Sequence, residues 1–153
     1  MVIKPEVYTS TGEEETLSLG RRLAPLLKSG SIVALRGTLG AGKTCFAKGI
    51  ARGLGIEEEL TSPTYSIVSE YECTNKIPLY HIDAYRLNGN DDFSAIGGEE
   101  IVFGKGISLI EWSDRIEAFI PPDAFRVDIK INEDGTRLIR VYSMKTSPGD
   151  DKK

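Results

Sequence analysis

The stretch Gly37-Thr38-Leu39-Gly40-Ala41-Gly42-Lys43-Thr44 decides the fold of this chain, because it satisfies the pattern G-x-x-x-x-G-K-[ST] of a phosphate-binding loop. The apolar run at residues 31–36 precedes it and predicts a buried strand, and residues 42–54 predict a helix that ends before Gly55. The motif requires this order of strand, loop and helix. We therefore expect an α/β protein in which the loop binds the phosphates of a nucleotide.

The residues of the loop have separate expected roles. Its glycines allow the backbone to wrap around phosphate oxygens, and the following helix adds the positive end of its dipole. Lys43 is expected to reach the β- and γ-phosphates, and the Thr44 hydroxyl is expected to bind Mg²⁺. Residues 75–78, Asn-Lys-Ile-Pro, lack the aspartate with which GTPases read guanine, and this favours ATP. The expected nucleotide contacts are Thr38, Leu39, Gly40, Ala41, Gly42, Lys43, Thr44 and Cys45.

The remainder of the chain predicts a mixed sheet. Ser10 and Glu13 have the spacing of a capping box, and leucines at helical spacing follow as far as Gly30. Short β-branched and aromatic runs then predict five strands, at residues 65–71, 77–85, 107–112, 125–131 and 138–142. The last two flank an Asp-Gly turn and predict a C-terminal β-hairpin. We expect a single domain of the P-loop NTPase fold with a mixed central β-sheet at residues 1–145, followed by a disordered tail at 146–153.

Length and composition limit the possible functions. A chain of 153 residues suits one domain, and no apolar run approaches the roughly 18–20 residues of a membrane span. The N terminus lacks the basic and apolar segments of a secretory signal, so we expect a cytoplasmic protein without membrane contact. The net charge of −4 disfavours independent binding to nucleic acid, which usually requires a basic stripe. If nucleic acid is involved, a partner is expected to hold it.

Two predicted strands end in an acid suited to Mg²⁺. A P-loop ATPase needs a carboxylate near its metal, commonly at the end of a buried strand. Residues 107–111 end in Glu111, in the usual shape of a Walker B element, and residues 79–83 end in Asp83. The single histidine, His81, shares a predicted strand face with Asp83 and is either a structural residue or a catalytic base. Trp112 directly follows Glu111 and either packs in the core or lies near the nucleotide.

Residues 61–65, Thr-Ser-Pro-Thr-Tyr, combine hydroxyl groups with a proline that restricts the backbone. The segment is either a switch loop, in which Thr64 senses Mg²⁺ or the γ-phosphate, or a turn that leads into a strand.

Taken together, the motifs resemble those of one bacterial family. LRGTLGAGKTCFAKGIARGLG is followed in order by TSPTYSIVSEY, LYHIDAYRL, IGGEE and ISLIEW. This series closely resembles the TsaE (YjeE) family of ATPases across residues 10–142. The resemblance implies a small ATPase that supports synthesis of the threonylcarbamoyl modification on the adenosine beside the anticodon of tRNAs that read ANN codons. The implied partners are the transferase subunits TsaB and TsaD, through which the tRNA is handled.

The resemblance also implies roles for single residues. Lys43, Asp83 and Glu111 are the implied catalytic residues. Between the two acids, we favour Glu111 as the Walker B acid that joins Thr44 at Mg²⁺, and Asp83 as a group that either supports the metal ligands or positions water. Two further roles follow from the motifs, namely Thr64 as the switch threonine and Trp112 as the aromatic residue near the nucleotide.

The chain departs from the family pattern at two loop positions. Thr38 stands where the family usually has an aspartate, and Cys45 stands where it often has a threonine. The loss of a carboxylate leaves the backbone cradle intact, but it puts in doubt any proton-accepting or partner-dependent role at position 38.

Two other functions stay open. A small-molecule kinase would use the same loop and a strand-end acid, but the chain lacks an arginine-rich lid segment, since Arg86 is the only arginine between Arg52 and Arg115. A nucleotide-gated interaction module would bind ATP with negligible turnover and change the affinity of a partner. The fate of the γ-phosphate distinguishes these functions from an ATPase.

Overall fold

The computed structural model of the protein describes residues 5–38, 40–60 and 67–143. Its centre is one seven-stranded sheet in the order β1-β7-β6-β2-β5-β4-β3. The strands are β1 Glu6–Ser10, β2 Ile32–Gly37, β3 Val68–Glu72, β4 Pro78–Asp83, β5 Ile107–Glu111, β6 Phe125–Ile131 and β7 Arg137–Tyr142. β2 runs parallel to β5 and β6, and β4 runs parallel to β5, whereas the β1–β7, β6–β7 and β3–β4 pairs are antiparallel. The predicted α/β class, mixed sheet and C-terminal hairpin are confirmed.

Helices cover both faces of the sheet. The α-helices are α1 Glu13–Leu23, α2 Lys43–Gly53, α3 Asn90–Ala95 and α4 Gly98–Val102, and a 3-10 segment spans Ser113–Phe119. Alternate residues of each buried strand point to opposite faces. On β2, Val33 and Leu35 therefore pack in the cluster that includes Phe46 of α2, whereas Ala34 packs with Phe93 of α3. No helix in the described ranges has the length and apolarity needed to cross a membrane.

α1 and α2 touch through their backbones. A Cβ atom at Gly49 of α2 would lie 2.1 Å from the Leu17 carbonyl oxygen, and one at Gly20 of α1 would lie 2.2 Å from the Phe46 carbonyl oxygen. Only glycine permits this approach. The contact fixes the position of α2, whose first residues belong to the phosphate loop.

The predicted limits of the first helix are wrong at both ends. α1 begins after Gly12, which supplies no side-chain cap, and the Ser10 hydroxyl instead donates to the Gly12 carbonyl oxygen at 2.8 Å. The helix ends at Leu23 and not near residue 30, since a 3-10 turn, Ala24–Leu26, follows it. Pro25 explains this end, because proline has no N–H group with which to continue an α-helix.

Two strands end earlier than predicted, and three elements were missed. The predicted strand 77–85 ends at Asp83, whose carboxylate accepts a hydrogen bond from the Tyr85 N–H at 3.0 Å and caps a 3-10 turn. The strand predicted at 107–112 ends at Glu111, because Trp112 adopts a left-handed conformation with φ of 59°. β1, α3 and α4 were not predicted. Residues 146–153 and the domain limit at 145 lie outside the described residues.

Candidate nucleotide-binding site

The predicted site residues that the structure describes meet at one edge of the parallel part of the sheet. Glu111 pairs in register with Leu35 on one side and with Asp83 on the other. The loop leaves β2 two residues after Leu35 and enters α2 at Lys43. Ligands of open α/β sheets bind beyond the carboxyl ends of the strands, which is where these residues lie.

The phosphate loop closes into the helix through a left-handed glycine. Gly42 precedes α2 with φ of 113° and ψ of 17°, a conformation that side chains rarely adopt. Phe46 N–H donates to the Gly42 carbonyl oxygen at 2.9 Å, which completes the first turn of the helix. The N–H groups that begin α2 consequently point towards the loop, as anion binding requires.

Lys43 lies folded into the loop. Its Nζ donates to the Gly37 carbonyl oxygen at 2.7 Å and to the Thr38 carbonyl oxygen at 2.9 Å. The same atom lies 4.1 Å from the centroid of the Trp112 ring. Burial lowers the pKa of Lys43, while the charges of nearby acids, Glu111 first among them, raise it in part. The ammonium group is thus held by neutral partners that an anionic ligand would outcompete.

A chain of hydrogen bonds runs from the half-buried Thr44 through the buried Glu111 to His81. The Thr44 hydroxyl donates towards both carboxylate oxygens of Glu111, at 2.9 and 3.0 Å. His81 Nε2 lies 2.6 Å from Glu111 Oε2, and the His81 side chain is fully buried. His81 therefore holds the carboxylate from the protein side while Thr44 meets it from the loop side.

Thr44 and Glu111 fit a Mg²⁺ ion by the chemistry of their donors. A hydroxyl and a carboxylate are hard oxygen ligands, which Mg²⁺ prefers. In the described part of the chain, no group of three or more His, Cys, Asp or Glu side chains is arranged to hold a metal.

Asp83 lies one strand away from Glu111 and has a different local role. Its carboxylate accepts the Tyr85 N–H, and its charge acts on Lys43. The Tyr85 ring is 47% exposed and lies 4.8 Å from the Trp112 ring, centroid to centroid. The two acids are therefore neighbours, but only Glu111 is buried.

Arg137 is a site residue that the sequence analysis missed. It lies on β7, and its Nε donates to the Ala41 carbonyl oxygen at 2.9 Å. Its Nη2 donates to the Gly40 carbonyl oxygen at 3.3 Å, so one guanidinium group clamps two consecutive loop carbonyls. An isolated arginine in a hairpin has no sequence signal, because the contact depends on where β7 lies in the sheet.

A cavity of about 330 Å³ opens beside this clamp. Its walls come from the phosphate loop, the start of α1 and the turn before β7. The lining residues are Thr11, Gly12, Glu13, Thr16, Gly40, Ala41, Gly42, Cys45, Gly135 and Arg137. The cavity thus adjoins the phosphate loop at Gly40, Ala41 and Gly42.

Comparison with known proteins agrees with the motifs. The family model described as threonylcarbamoyl adenosine biosynthesis protein TsaE matches residues 10–139. The chain belongs to the TsaE family. TsaE of Treponema pallidum is 42% identical over 132 residues, covering 86% of this chain and 96% of that protein. TsaE of Bacillus subtilis is 39% identical over 132 residues, covering 86% of this chain and 82% of that protein.

The fold comparison leads to the same family. The crystal structure of Bacillus subtilis YdiB superposes with a TM-score of 0.74 at 35% identity, covering 95% of this chain and 88% of that chain. The resemblance inferred from the motifs is confirmed, and with it the P-loop fold. TsaE membership makes this chain a nucleotide-binding P-loop protein of a family named for threonylcarbamoyladenosine biosynthesis.

The two positions that depart from the TsaE pattern have defined surroundings. Thr38 contributes its carbonyl oxygen to Lys43. The Cys45 Sγ lies 3.5 Å from the Glu13 carbonyl oxygen, and burial raises the pKa of this thiol, which keeps it protonated. Leu39 and Thr64 lie outside the described residues, so their expected roles stay predictions.

Proposed function

We propose that this TsaE-family protein binds ATP with Mg²⁺ and hydrolyses it in support of threonylcarbamoyladenosine synthesis, on the adenosine beside the anticodon of tRNAs that read ANN codons. The observation that supports this most is the hydrogen bond from Thr44 to Glu111 at the end of β5, with the ammonium group of Lys43 held in the same phosphate loop. These residues provide a cation that binds phosphate and two oxygen ligands for a metal, and phosphoryl transfer requires both.

Lys43 would change partners when the triphosphate binds. Its ammonium group now donates to two neutral carbonyl oxygens of the loop. Phosphate oxygens are anionic and form stronger, charge-assisted hydrogen bonds, so they would replace these carbonyls. Lys43 would then stabilise the charge that develops on the transferred phosphoryl group.

Thr44 and Glu111 would hold the metal, and Asp83 would position water. Mg²⁺ supplies charge neutralisation at the phosphates when it is bound. His81 keeps the Glu111 carboxylate in place by its 2.6 Å contact, which limits the reorientation of that acid. Asp83, beside Glu111 in the sheet, has one carboxylate oxygen on the Tyr85 N–H and a second oxygen with which to orient a water molecule.

The base and ribose of ATP would enter the cavity beside Arg137. This cavity adjoins Gly40, Ala41 and Gly42, so it begins where the phosphates are expected to end. Arg137 would keep the loop in its binding conformation through the Gly40 and Ala41 carbonyls.

TsaB and TsaD would act as partners in the cytoplasm, with tRNA held by them and not by this chain. The net charge of −4 supports that division, because independent binding to a phosphate backbone usually needs a basic surface.

The test is phosphate release from ATP by the purified protein, with and without a TsaB–TsaD pair. The variant is Lys43→Ala, and its matched control is Lys48→Ala, which removes a lysine from the same helix but only breaks a surface ion pair with Glu59 at 3.3 Å. We expect release that Lys43→Ala abolishes, that Lys48→Ala retains and that the pair changes. ATP binding without release under every condition would favour the gated module, and transfer of a γ-label to a metabolite would favour a kinase.

A further inference from the structure

A second cleft lies on the sheet face opposite α1 and α2. It has a volume of about 500 Å³, and three arginines, Arg36, Arg126 and Arg140, line it together with Glu117 and Tyr142. Three guanidinium groups at one concave surface are unusual for a chain whose net charge is −4. The cleft does not share a lining residue with the cavity of the nucleotide site.

Strand register builds this cleft. Arg36 of β2 pairs with Asp128 of β6, Asp128 pairs with Arg140 of β7, and Arg140 pairs with Val7 of β1. Residues that pair across a sheet project from the same face. The four side chains therefore form a row across four strands, Arg–Asp–Arg–Val, that no stretch of sequence contains.

The acids of the cleft do not form ion pairs with all of its arginines. Asp128 accepts from Arg36 Nε and Nη2 at 3.0 and 3.1 Å, and from the Tyr142 hydroxyl at 3.0 Å. Arg140 forms no ion pair within the described residues, and its guanidinium carbon lies 4.2 Å above the Tyr142 ring. Arg140 is consequently an exposed cation, held in orientation by an aromatic ring.

Arg126 is also incompletely hydrogen-bonded, although only 8% of its surface is exposed. Its Nη1 donates to Glu117 at 3.1 Å and its Nη2 to the Ile120 carbonyl oxygen at 3.3 Å. Its Nε is buried and has no hydrogen-bond partner among the described residues. Arg126 therefore adds a positive charge to the wall of the cleft, with one donor that the described residues leave unsatisfied.

We propose that this cleft binds the carboxylates of an acidic segment of a partner protein. Guanidinium groups match carboxylates in geometry, and the fork of Arg140 is open to such a ligand. Apolar residues flank the same face, since Val7 is 59% exposed and Leu138 is 36% exposed. Mixed arginine, tyrosine and apolar surface is the composition of protein interfaces.

A nucleic-acid phosphate backbone fits these observations less well. It would meet the apolar side chain of Val7, 59% exposed beside the cleft, with which a phosphate forms no favourable contact. Non-specific phosphate binding relies on several lysines and arginines along an extended path, not on a compact pocket. Arg36 directly precedes the phosphate loop, so a protein segment bound here would lie next to the nucleotide site.

The test uses a fluorescein-labelled hexaglutamate peptide and measures its anisotropy at about 0.1 M salt, where charges act over roughly 10 Å. The variant is Arg140→Gln, and the matched control is Arg52→Gln, the same change at an exposed position on α2. We expect hexaglutamate to bind more tightly than hexaglutamine. Arg140→Gln should weaken hexaglutamate binding about three- to tenfold, as loss of one charged hydrogen-bonding partner implies, and Arg52→Gln should not.

Three results would overturn the proposal. The first is no measurable binding of hexaglutamate, and the second is an equal loss in Arg140→Gln and Arg52→Gln, which would indicate general charge attraction. The third is tighter, Arg140-dependent binding of a six-nucleotide RNA in place of the peptide. The assay contains no ATP, so its outcome is separate from that of the ATP hydrolysis test.

Discussion

Replacing Gly49 by alanine has two opposing effects on the free energy of unfolding, and the structure shows which of them is larger. Alanine at a helix interior is favoured over glycine by about 1 kcal/mol, which alone would stabilise the protein. The new Cβ, however, would lie 2.1 Å from the Leu17 carbonyl oxygen and 2.9 Å from its carbon. Normal contact requires the two helices to separate by roughly 1 Å, and overpacking of this kind costs about 1–3 kcal/mol.

The cost at Gly49 belongs near the upper end of that range, because the atoms in conflict are backbone atoms and have no other rotamer. We therefore expect Gly49→Ala to lower the free energy of unfolding by about 2 kcal/mol, or the melting temperature by roughly 6 °C. Denaturant unfolding followed by circular dichroism would measure it. Ser18→Ala, at an exposed position of α1, is the control and should be neutral or slightly stabilising.

A double mutant sharpens the test. Gly20→Ala creates the reciprocal conflict, at 2.2 Å from the Phe46 carbonyl oxygen. Once one substitution has separated the helices, the second has less left to disrupt, so the combined loss should be smaller than the sum. A Gly49→Ala protein as stable as wild type would refute the reasoning, since it would mean that the close approach of α1 and α2 contributes nothing.

Four further outcomes follow from contacts at the nucleotide site and in the arginine-lined cleft. Glu111→Ala should lower the rate of ATP hydrolysis about a hundredfold while changing the dissociation constant for ATP less, and wild-type hydrolysis would show that Glu111 is not the metal acid. Arg137→Gln removes the hydrogen bonds to the Gly40 and Ala41 carbonyl oxygens, so it should weaken ATP binding about tenfold, as measured by calorimetry. An unchanged affinity would show that Arg137 does not hold the loop in its binding conformation. Trp112 fluorescence should change when ATP and Mg²⁺ are added, because Lys43 Nζ lies 4.1 Å from its ring, and a silent titration with bound ATP would contradict this. Burial and the hydrogen bond to Asp128 raise the pKa of Tyr142 above 10.0, so the neutral phenol stabilises the folded protein below about pH 10. This contribution to the free energy of unfolding is lost as pH rises through the pKa of the folded state. Denaturant unfolding at increasing pH should show the loss in wild type and not in Tyr142→Phe.

Local signals explain why much of the site was predictable. The phosphate loop is a continuous stretch whose spacing requires a strand before it and a helix after it, and β2 and α2 are found there. Glu111 ends an apolar run that is buried at every position, which is the pattern of a central parallel strand. Such features depend on a few neighbouring residues, so sequence periodicity records them.

Other elements had weak local signals. β1 is a five-residue edge strand with mostly exposed residues, and its pairing with β7 is what makes it a strand. α3 and α4 contain six and five residues, too few for a helical period to be recognised. The pairing of His81 with Glu111 likewise requires β4 and β5 to be adjacent and in register.

The sequence by itself determined the nucleotide loop, the family, the mixed α/β class and the acids at the ends of two strands. Each of these depends on short motifs, and the residues of one motif are close together in the chain. The tertiary structure alone decided which distant residues complete these features. Arg137 reaches Ala41 across 96 positions, and Arg36, Asp128 and Arg140 form one row across three strands. The physical reason is the strand order β1-β7-β6-β2, in which backbone hydrogen bonding places the C-terminal hairpin beside the strand that carries the loop.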